Sequence, residues 1–146
     1  MSVTITNDVT LDDLRICFGG EFPDSKPVEY LQARINDKSV FVAKKDGVPA
    51  GFVIYCVWWG DCPFIELLKV RPEFQRDKIG TLLMRTAAQA IAAKGYKELI
   101  SSSEVINNMG ISFHLKQGFR KLNTLDLPHG EEQFFRIEIQ AILDRQ

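Results

Sequence analysis

A polar stretch with anion-binding chemistry lies directly before a long helical pattern. Between Val70 and Ile91 the chain reads VRPEFQRDKIGTLLMRTAAQAI, with the cations Arg76 and Lys78 followed by Gly80. The first turn of an α-helix has backbone N–H groups without intrahelical partners, and with the helix dipole they attract anions. A pyrophosphate could accept several of these bonds, while the cations add charge and Gly80 permits a close approach to the backbone. The alternative is a solvated loop that only precedes a core helix.

Length and composition indicate the class of protein. The 146 residues, of which 45% are hydrophobic and 25% charged, are typical of one globular domain, 1–146, with a sizeable core. A net charge of -1 without a long basic cluster argues against a nucleic-acid partner.

The sequence shows neither a pattern typical of membrane insertion or secretion nor a cysteine motif. No run approaches the roughly 18 apolar residues of a membrane span, and no secretion signal is visible, so we expect no membrane partner and a cytoplasmic location. The 3 cysteines lack CxxC spacing. They therefore indicate neither a disulfide framework nor a zinc site, and no metal is expected.

The periodicity of the sequence predicts the elements that would position the polar stretch. Before it, we expect a short strand in SVTIT, helices after Thr10 and at Pro27, and three antiparallel strands in SVFVAKK, AGFVIYCVWW and FIELLKV. Thr10 as N-cap with Asp13 three residues later is the pattern of a capping box. After it, a helix from Lys78 to about Lys94 leads to the strand YKELI, which a crossover makes parallel to FIELLKV. The helix NNMGISFHLKQ and the strands FRKLNTL and EQFFRIEIQ follow. A ligand could lie where the parallel strands separate, at their carboxyl ends.

Two segments in this order resemble the GNAT acetyltransferase superfamily. LLKVRPEFQRDKIGTLLM is similar to its acetyl-CoA signature, Val-x-Pro and then Gln or Arg-x-x-Gly-x-Gly or Ala opening a helix. NNMGISFHLKQGF is similar to its later segment, Asn-x-x-Ala-x-x-Phe-Tyr-x-x-x-Gly-Phe. The resemblance implies an α+β GNAT fold, in which helices flank a central mixed, mostly antiparallel sheet with a splayed parallel strand pair.

The resemblance also implies a site for acetyl-CoA as cosubstrate. Gln75 to Gly80 would form the pyrophosphate loop, 68–70 would bind the pantetheine arm as a pseudo-strand, and Asn107 would touch that arm. Lys78 stands where the signature has its first glycine, which is free of strain only if the Lys78 backbone is helical rather than at positive φ. The implied cofactor-binding residues are Leu68, Lys69, Val70, Gln75, Arg76, Asp77, Lys78, Ile79, Gly80, Thr81 and Asn107.

The implied reaction is direct acetyl transfer to a primary amine in a ternary complex. An alkyl ammonium has a pKa of about 10.4 and must lose a proton before it attacks. Glu66, where some family members have an acidic residue, is the candidate base. On a regular strand it shares a face with Phe64 and Leu68, and burial would raise its pKa. A β-bulge would change that facing, and the alternative role for Glu66 is an ion pair with a nearby cation.

His114 replaces the tyrosine that usually protonates the leaving thiolate in this family. It is the candidate acid, either as imidazolium or as a neutral N–H donor. The alternative is a core histidine whose nitrogens are both hydrogen-bonded.

The acceptor would be a small-molecule or protein amine, and loops of variable chemistry decide which. Acidic side chains in the two loops that flank the acceptor side in the resemblance would favour a cationic acceptor if they converge. These are Glu21, Asp24, Asp126, Glu131 and Glu132. Because family members often pair, a homodimer is possible.

Two other readings of the sequence are open. One is a non-catalytic acyl-CoA-binding sensor or interaction module, in which His114 marks the loss of the acid. The other is an α/β scaffold without a CoA site.

Overall fold

The secondary structure follows the predicted order, with two additions. The computed structural model describes residues 2–145. In chain order its elements are β1 Val3–Thr6, α1 Leu11–Cys17, α2 Val28–Asn36, β2 Val40–Lys45, β3 Val48–Trp58, β4 Cys62–Val70, a 3-10 helix Pro72–Asp77, α3 Ile79–Ala93, β5 Glu98–Glu104, α4 Asn108–Gln117, β6 Arg120–Leu127, β7 Gly130–Glu138 and α5 Ile139–Leu143. The 3-10 helix and α5 are the elements that the sequence reading missed.

The strands form one seven-stranded sheet in the order β1-β2-β3-β4-β5-β7-β6. The pairs β1–β2, β2–β3, β5–β7 and β6–β7 are antiparallel. The pair β4–β5 is parallel, with Phe64 opposite Ile100 and Ile65 opposite Ser101. The predicted crossover through α3 is therefore confirmed, and with it the mixed, mostly antiparallel α+β sheet flanked by helices.

Packing divides the chain into two units. Unit 1 contains residues 1–55 and 67–87, and unit 2 contains residues 56–66 and 88–146. The elements β3, β4 and α3 each contribute residues to both units. The single domain over 1–146 stays a prediction.

In unit 1, local capping and apolar spacing explain how α1 and α2 form. The predicted capping box starts α1, because the Asp13 N–H donates to Thr10 Oγ1 at 3.1 Å and the Thr10 N–H donates to Asp13 Oδ2 at 3.0 Å. Both helices bury an apolar stripe against β2 and β3. The buried cluster is Val9, Leu14, Cys17, Leu31, Ile35, Val40, Val42, Phe52 and Ile54.

In unit 2, α4 ends where the sequence predicts and β7 ends earlier. Gly118 has φ 99° and ends α4 in the left-handed conformation that glycine adopts readily. The sequence EQFFRIEIQ was expected to be strand throughout, but Ile139 begins α5 and its N–H donates to the Lys97 carbonyl at 2.8 Å. Ile139 and Ile142 are both buried. They are three residues apart, so one face of this helical turn packs into the core.

Candidate active site

The segment before α3 is more complex than the predicted first helical turn. Gln75 and Asp77 belong to the 3-10 helix, and Lys78 connects that helix to α3 with φ 59° and ψ 23°. The condition for an unstrained Lys78, a helical backbone, is therefore not met, and α3 begins at Ile79 rather than at the predicted Lys78. A left-handed residue ends one helical segment and redirects the chain into the next, as glycine does at helix ends. For a residue with a Cβ this conformation costs about 1–2 kcal/mol.

Contacts within unit 1 hold this segment in place. Lys45 Nζ on β2 lies 2.6 Å from Asp77 Oδ2, and both side chains are largely buried. At the start of the segment, the Arg71 N–H donates to the Ala50 carbonyl at 2.8 Å. The ion pair fixes the residue directly before Lys78, so a tertiary contact supports the left-handed conformation.

The start of α3 has the chemistry to hold a diphosphate. The first intrahelical bond runs from the Leu82 N–H to the Lys78 carbonyl at 3.1 Å, so the amides of residues 79–81 precede it. Arg76 and Lys78 are exposed and carry positive charge. Oriented amides at a helix start together with two cations fit a pyrophosphate group.

The predicted pantetheine strand, 68–70, forms the end of β4 in unit 1. Its three residues are half-buried and lead into the 3-10 helix. On β3, a Cβ at Gly51 would lie 2.7 Å from the Lys69 carbonyl oxygen. The close approach of the two backbones therefore requires glycine at this position.

In unit 2, Asn107 caps α4. Its Oδ1 accepts the Gly110 N–H at 2.9 Å. Gly110 stands where the family segment has alanine, and a Cβ there would overlap Ser103 Oγ. The side-chain oxygen of Asn107 is thus used by the helix, and its contact with pantetheine stays a prediction.

Glu66 lies on β4 directly after the two positions paired with β5, and it is half-buried. Two residues earlier, Phe64 stacks on Trp58 with ring centroids 4.1 Å apart, and Phe134 lies 6.1 Å from Phe64. An aromatic cluster of unit 2 is therefore close to this carboxylate along the strand. The role of Glu66 as base stays a prediction.

His114 is buried, with 6% of its surface exposed. Its Nδ1 lies 2.7 Å from the Gly110 carbonyl oxygen, and its Nε2 lies 2.7 Å from Ser101 Oγ. Because a carbonyl can only accept, Nδ1 carries the hydrogen and Nε2 accepts from the serine hydroxyl. The imidazole also stacks on Phe135 with centroids 4.4 Å apart and planes within 1°.

Burial lowers the pKa of His114, against the smaller raising effects of the Gly110 hydrogen bond and of Glu132. The ring is therefore neutral at pH 7, which argues against imidazolium as the acid form. The contacts match those of a core histidine with both nitrogens bonded, and proton donation by His114 stays a prediction.

The comparisons with known proteins identify the family. Residues 8–119 match the model described as Acetyltransferase (GNAT) family. This match covers most of the chain, which therefore belongs to the GNAT acetyltransferase family and to that class of enzyme. Acetyl transfer is its general reaction and acetyl-CoA its cosubstrate. The comparison with curated proteins found no match.

Solved structures with low sequence identity share the fold. Ard1 from Thermoplasma volcanium is 17% identical with a TM-score of 0.79, and the alignment covers 94% of this chain and 98% of that one. PaiA N-acetyltransferase from Thermoplasma acidophilum, in complex with coenzyme A, is 20% identical with a TM-score of 0.73, over 94% and 99% of the two chains. The ribosomal-protein-S18-alanine N-acetyltransferase from Escherichia coli is 19% identical with a TM-score of 0.71, over 94% of each.

Two kinds of site are absent from residues 2–145. In that range no helix is long and apolar enough to cross a bilayer. The same part of the chain has no group of three or more His, Cys, Asp and Glu side chains placed to hold a metal ion.

Proposed function

We propose that the chain is an N-acetyltransferase that moves the acetyl group of acetyl-CoA to a primary amine by direct attack in a ternary complex. The observation that carries this proposal is the start of α3, where oriented amides follow a left-handed Lys78 and the 3-10 helix that contains Arg76. Such a site suits the diphosphate of coenzyme A. Membership of the GNAT family supports the same reading.

Each predicted binding residue has a role in this proposal. Gln75 to Thr81 would hold the pyrophosphate, 68–70 the pantetheine arm, and Asn107 would touch that arm. Bound acetyl-CoA supplies the acetyl group as a reactive thioester. The acceptor would be a small-molecule or protein amine.

Glu66 is the proposed base. A primary amine is protonated at neutral pH and attacks only after it has lost a proton. A half-buried carboxylate on β4, the strand that ends in the proposed pantetheine segment, is suited to accept that proton directly or through water.

His114 is the proposed source of the proton for the thiolate of coenzyme A. In the neutral ring, Nδ1–H is bonded to the Gly110 carbonyl and Nε2 to Ser101. Donation therefore requires a break of one of these bonds or passage of a proton through the Ser101 hydroxyl. A water molecule is the competing donor.

Two measurements separate the candidate functions. A ligand that binds only the folded state raises the unfolding temperature, so a rise on addition of coenzyme A tests for a CoA site. Release of free thiol from acetyl-CoA with a panel of amines and peptide amino termini then tests transfer. Thermal stabilisation without thiol release would favour the non-catalytic acyl-CoA sensor, and absence of both effects would favour a scaffold without a CoA site.

A cytoplasmic location and a homodimer also stay proposals. Cell fractionation tests the first, and light scattering of the purified chain tests the second.

A further inference from the structure

Unit 1 contains a cleft with a volume of about 710 Å³. This is within the roughly 300–1,000 Å³ typical of small-molecule sites. Phe18, Phe22 and Leu67 give it an apolar wall, and Glu21, Lys26 and Lys69 give it charge. The cleft can therefore hold a molecule of mixed apolar and ionic character.

The apolar wall is part of the packed core of unit 1. Phe18 lies edge-on to Phe22 and to Phe52, with centroids 6.0 Å and 5.1 Å apart. Phe18, Phe22 and Leu67 all pack against the buried cluster. A wall held in this way is already formed before a ligand binds, which reduces the entropy lost on binding.

The charge in the cleft is predominantly positive. Lys26 and Lys69 are half-buried, whereas Glu21 is exposed. The Lys26 ammonium lies 5.9 Å from the centre of the Tyr30 ring, which places its charge beside an aromatic surface. Partly desolvated cations favour a bound anion.

Two of the acidic residues that would have favoured a cationic acceptor, Glu131 and Glu132, lie on β7 and bond to other side chains. Glu132 accepts from Ser102 Oγ at 2.7 Å and pairs with His129 at 3.0 Å. Glu131 accepts from Thr124 Oγ1 at 3.2 Å. Of the five acidic residues singled out in the sequence, Glu21 is the one that lines the cleft of unit 1.

We infer that this cleft binds the acetyl acceptor, and that the acceptor is an amine with an apolar body that also carries a carboxylate. This inference rests on the proposed transferase function and specifies its substrate class. The carboxylate would pair with Lys26 and Lys69, and the apolar body would contact Phe18 and Phe22. In the reaction the acetyl C–S bond breaks and a C–N bond forms, the amine loses one proton, and coenzyme A leaves as a thiol.

The test uses acceptors matched in all but the carboxylate. Phenylalanine is compared with phenylethylamine, and leucine with 3-methylbutylamine, each at saturating acetyl-CoA. Rates are measured over a range of pH, so that kcat/KM can be expressed per concentration of unprotonated amine. A charge-assisted hydrogen bond to the carboxylate predicts a kcat/KM that is about 10- to 100-fold higher for the carboxylated member. Equal values, or a preference for the simple amine, would overturn the inference.

Variants assign the preference to the cleft. Lys26→Met and Lys69→Met should each reduce the ratio of the two kcat/KM values by about 10-fold, whereas Glu21→Gln should not reduce it. Lys69→Arg should preserve the ratio, since it keeps the charge. A ratio unchanged in both methionine variants would place the acceptor elsewhere.

Binding without turnover separates this inference from the proposed function. Calorimetry compares N-acetylphenylalanine with N-acetylphenylethylamine on the CoA-bound protein. A lysine-dependent preference of at least about 10-fold for the carboxylated ligand, without any transfer activity, would support the cleft assignment and contradict the transferase proposal. If neither ligand binds with a preference, the inference fails even if amines are acetylated.

Discussion

Replacement of Lys78 tests whether this residue is held in the left-handed conformation. Lys78→Ala and Lys78→Gly both remove the charge, but only alanine keeps the Cβ. At φ 59° a Cβ adds strain of roughly 1–2 kcal/mol. Glycine loses more chain entropy on folding, by about 0.4–1 kcal/mol.

The difference between these two effects gives the expected magnitude. We expect the glycine variant to be more stable than the alanine variant by about 1 kcal/mol. In a chain of this length, that corresponds to a difference in unfolding temperature of about 2–4 °C. Affinity for coenzyme A should fall equally in both, because both lose one exposed cation, and the loss should shrink as salt is added.

The assay is thermal and urea unfolding of parent, alanine and glycine variants, with calorimetry of coenzyme A at two salt concentrations. The alanine variant is the matched control for charge. If the alanine variant is more stable than the glycine variant, the Lys78 backbone is not left-handed and the described loop geometry is wrong.

Four other substitutions test the site. Asp77→Asn should reduce the free energy of coenzyme A binding more than the free energy of unfolding, since it breaks the ion pair that fixes the loop. Equal losses of the two free energies would argue against a positioning role. Glu66→Gln should lower turnover by about 10²-fold at unchanged coenzyme A affinity, with partial recovery at high pH where more amine is free; a rate unchanged across pH would leave Glu66 a packing role. The pKa of His114 is lowered in the folded state, so the unfolded state binds more protons below about pH 6.5 and stability should fall as pH falls from there. His114→Phe should flatten this slope in urea titrations, and at matched coenzyme A saturation its single-turnover rate should fall if the histidine donates the proton. Gly110→Ala should lower the unfolding temperature although alanine favours helices by about 1 kcal/mol, because its Cβ overlaps a serine hydroxyl; a stabilised variant would contradict that contact.

The sequence predicted those parts of the fold that depend on local signals. Thr10 and Asp13 form the expected capping box, Gly118 ends α4, and the crossover rule correctly predicted that β4 and β5 are parallel. Each of these follows from residues close in sequence or from chain handedness.

The missed features depend on contacts between distant residues. Lys78 adopts a glycine-like conformation beside Asp77, which is bound by a lysine 32 positions earlier in the chain. The hydrogen bond between His114 and Ser101 likewise depends on which of three consecutive serines faces α4, which spacing alone does not reveal. The resemblance of NNMGISFHLKQGF to the family segment singled out His114, but only the folded chain provides its partners.

The position of the two tryptophans has a spectroscopic consequence. Trp58 and Trp59 both belong to unit 2; Trp58 stacks on Phe64, and Trp59 is 88% exposed. Their emission therefore reports the surroundings of unit 2, with one quenched or shielded fluorophore and one in water. Far-ultraviolet circular dichroism averages the helices of both units, so the two signals together resolve whether the chain loses its structure in one cooperative transition or in steps.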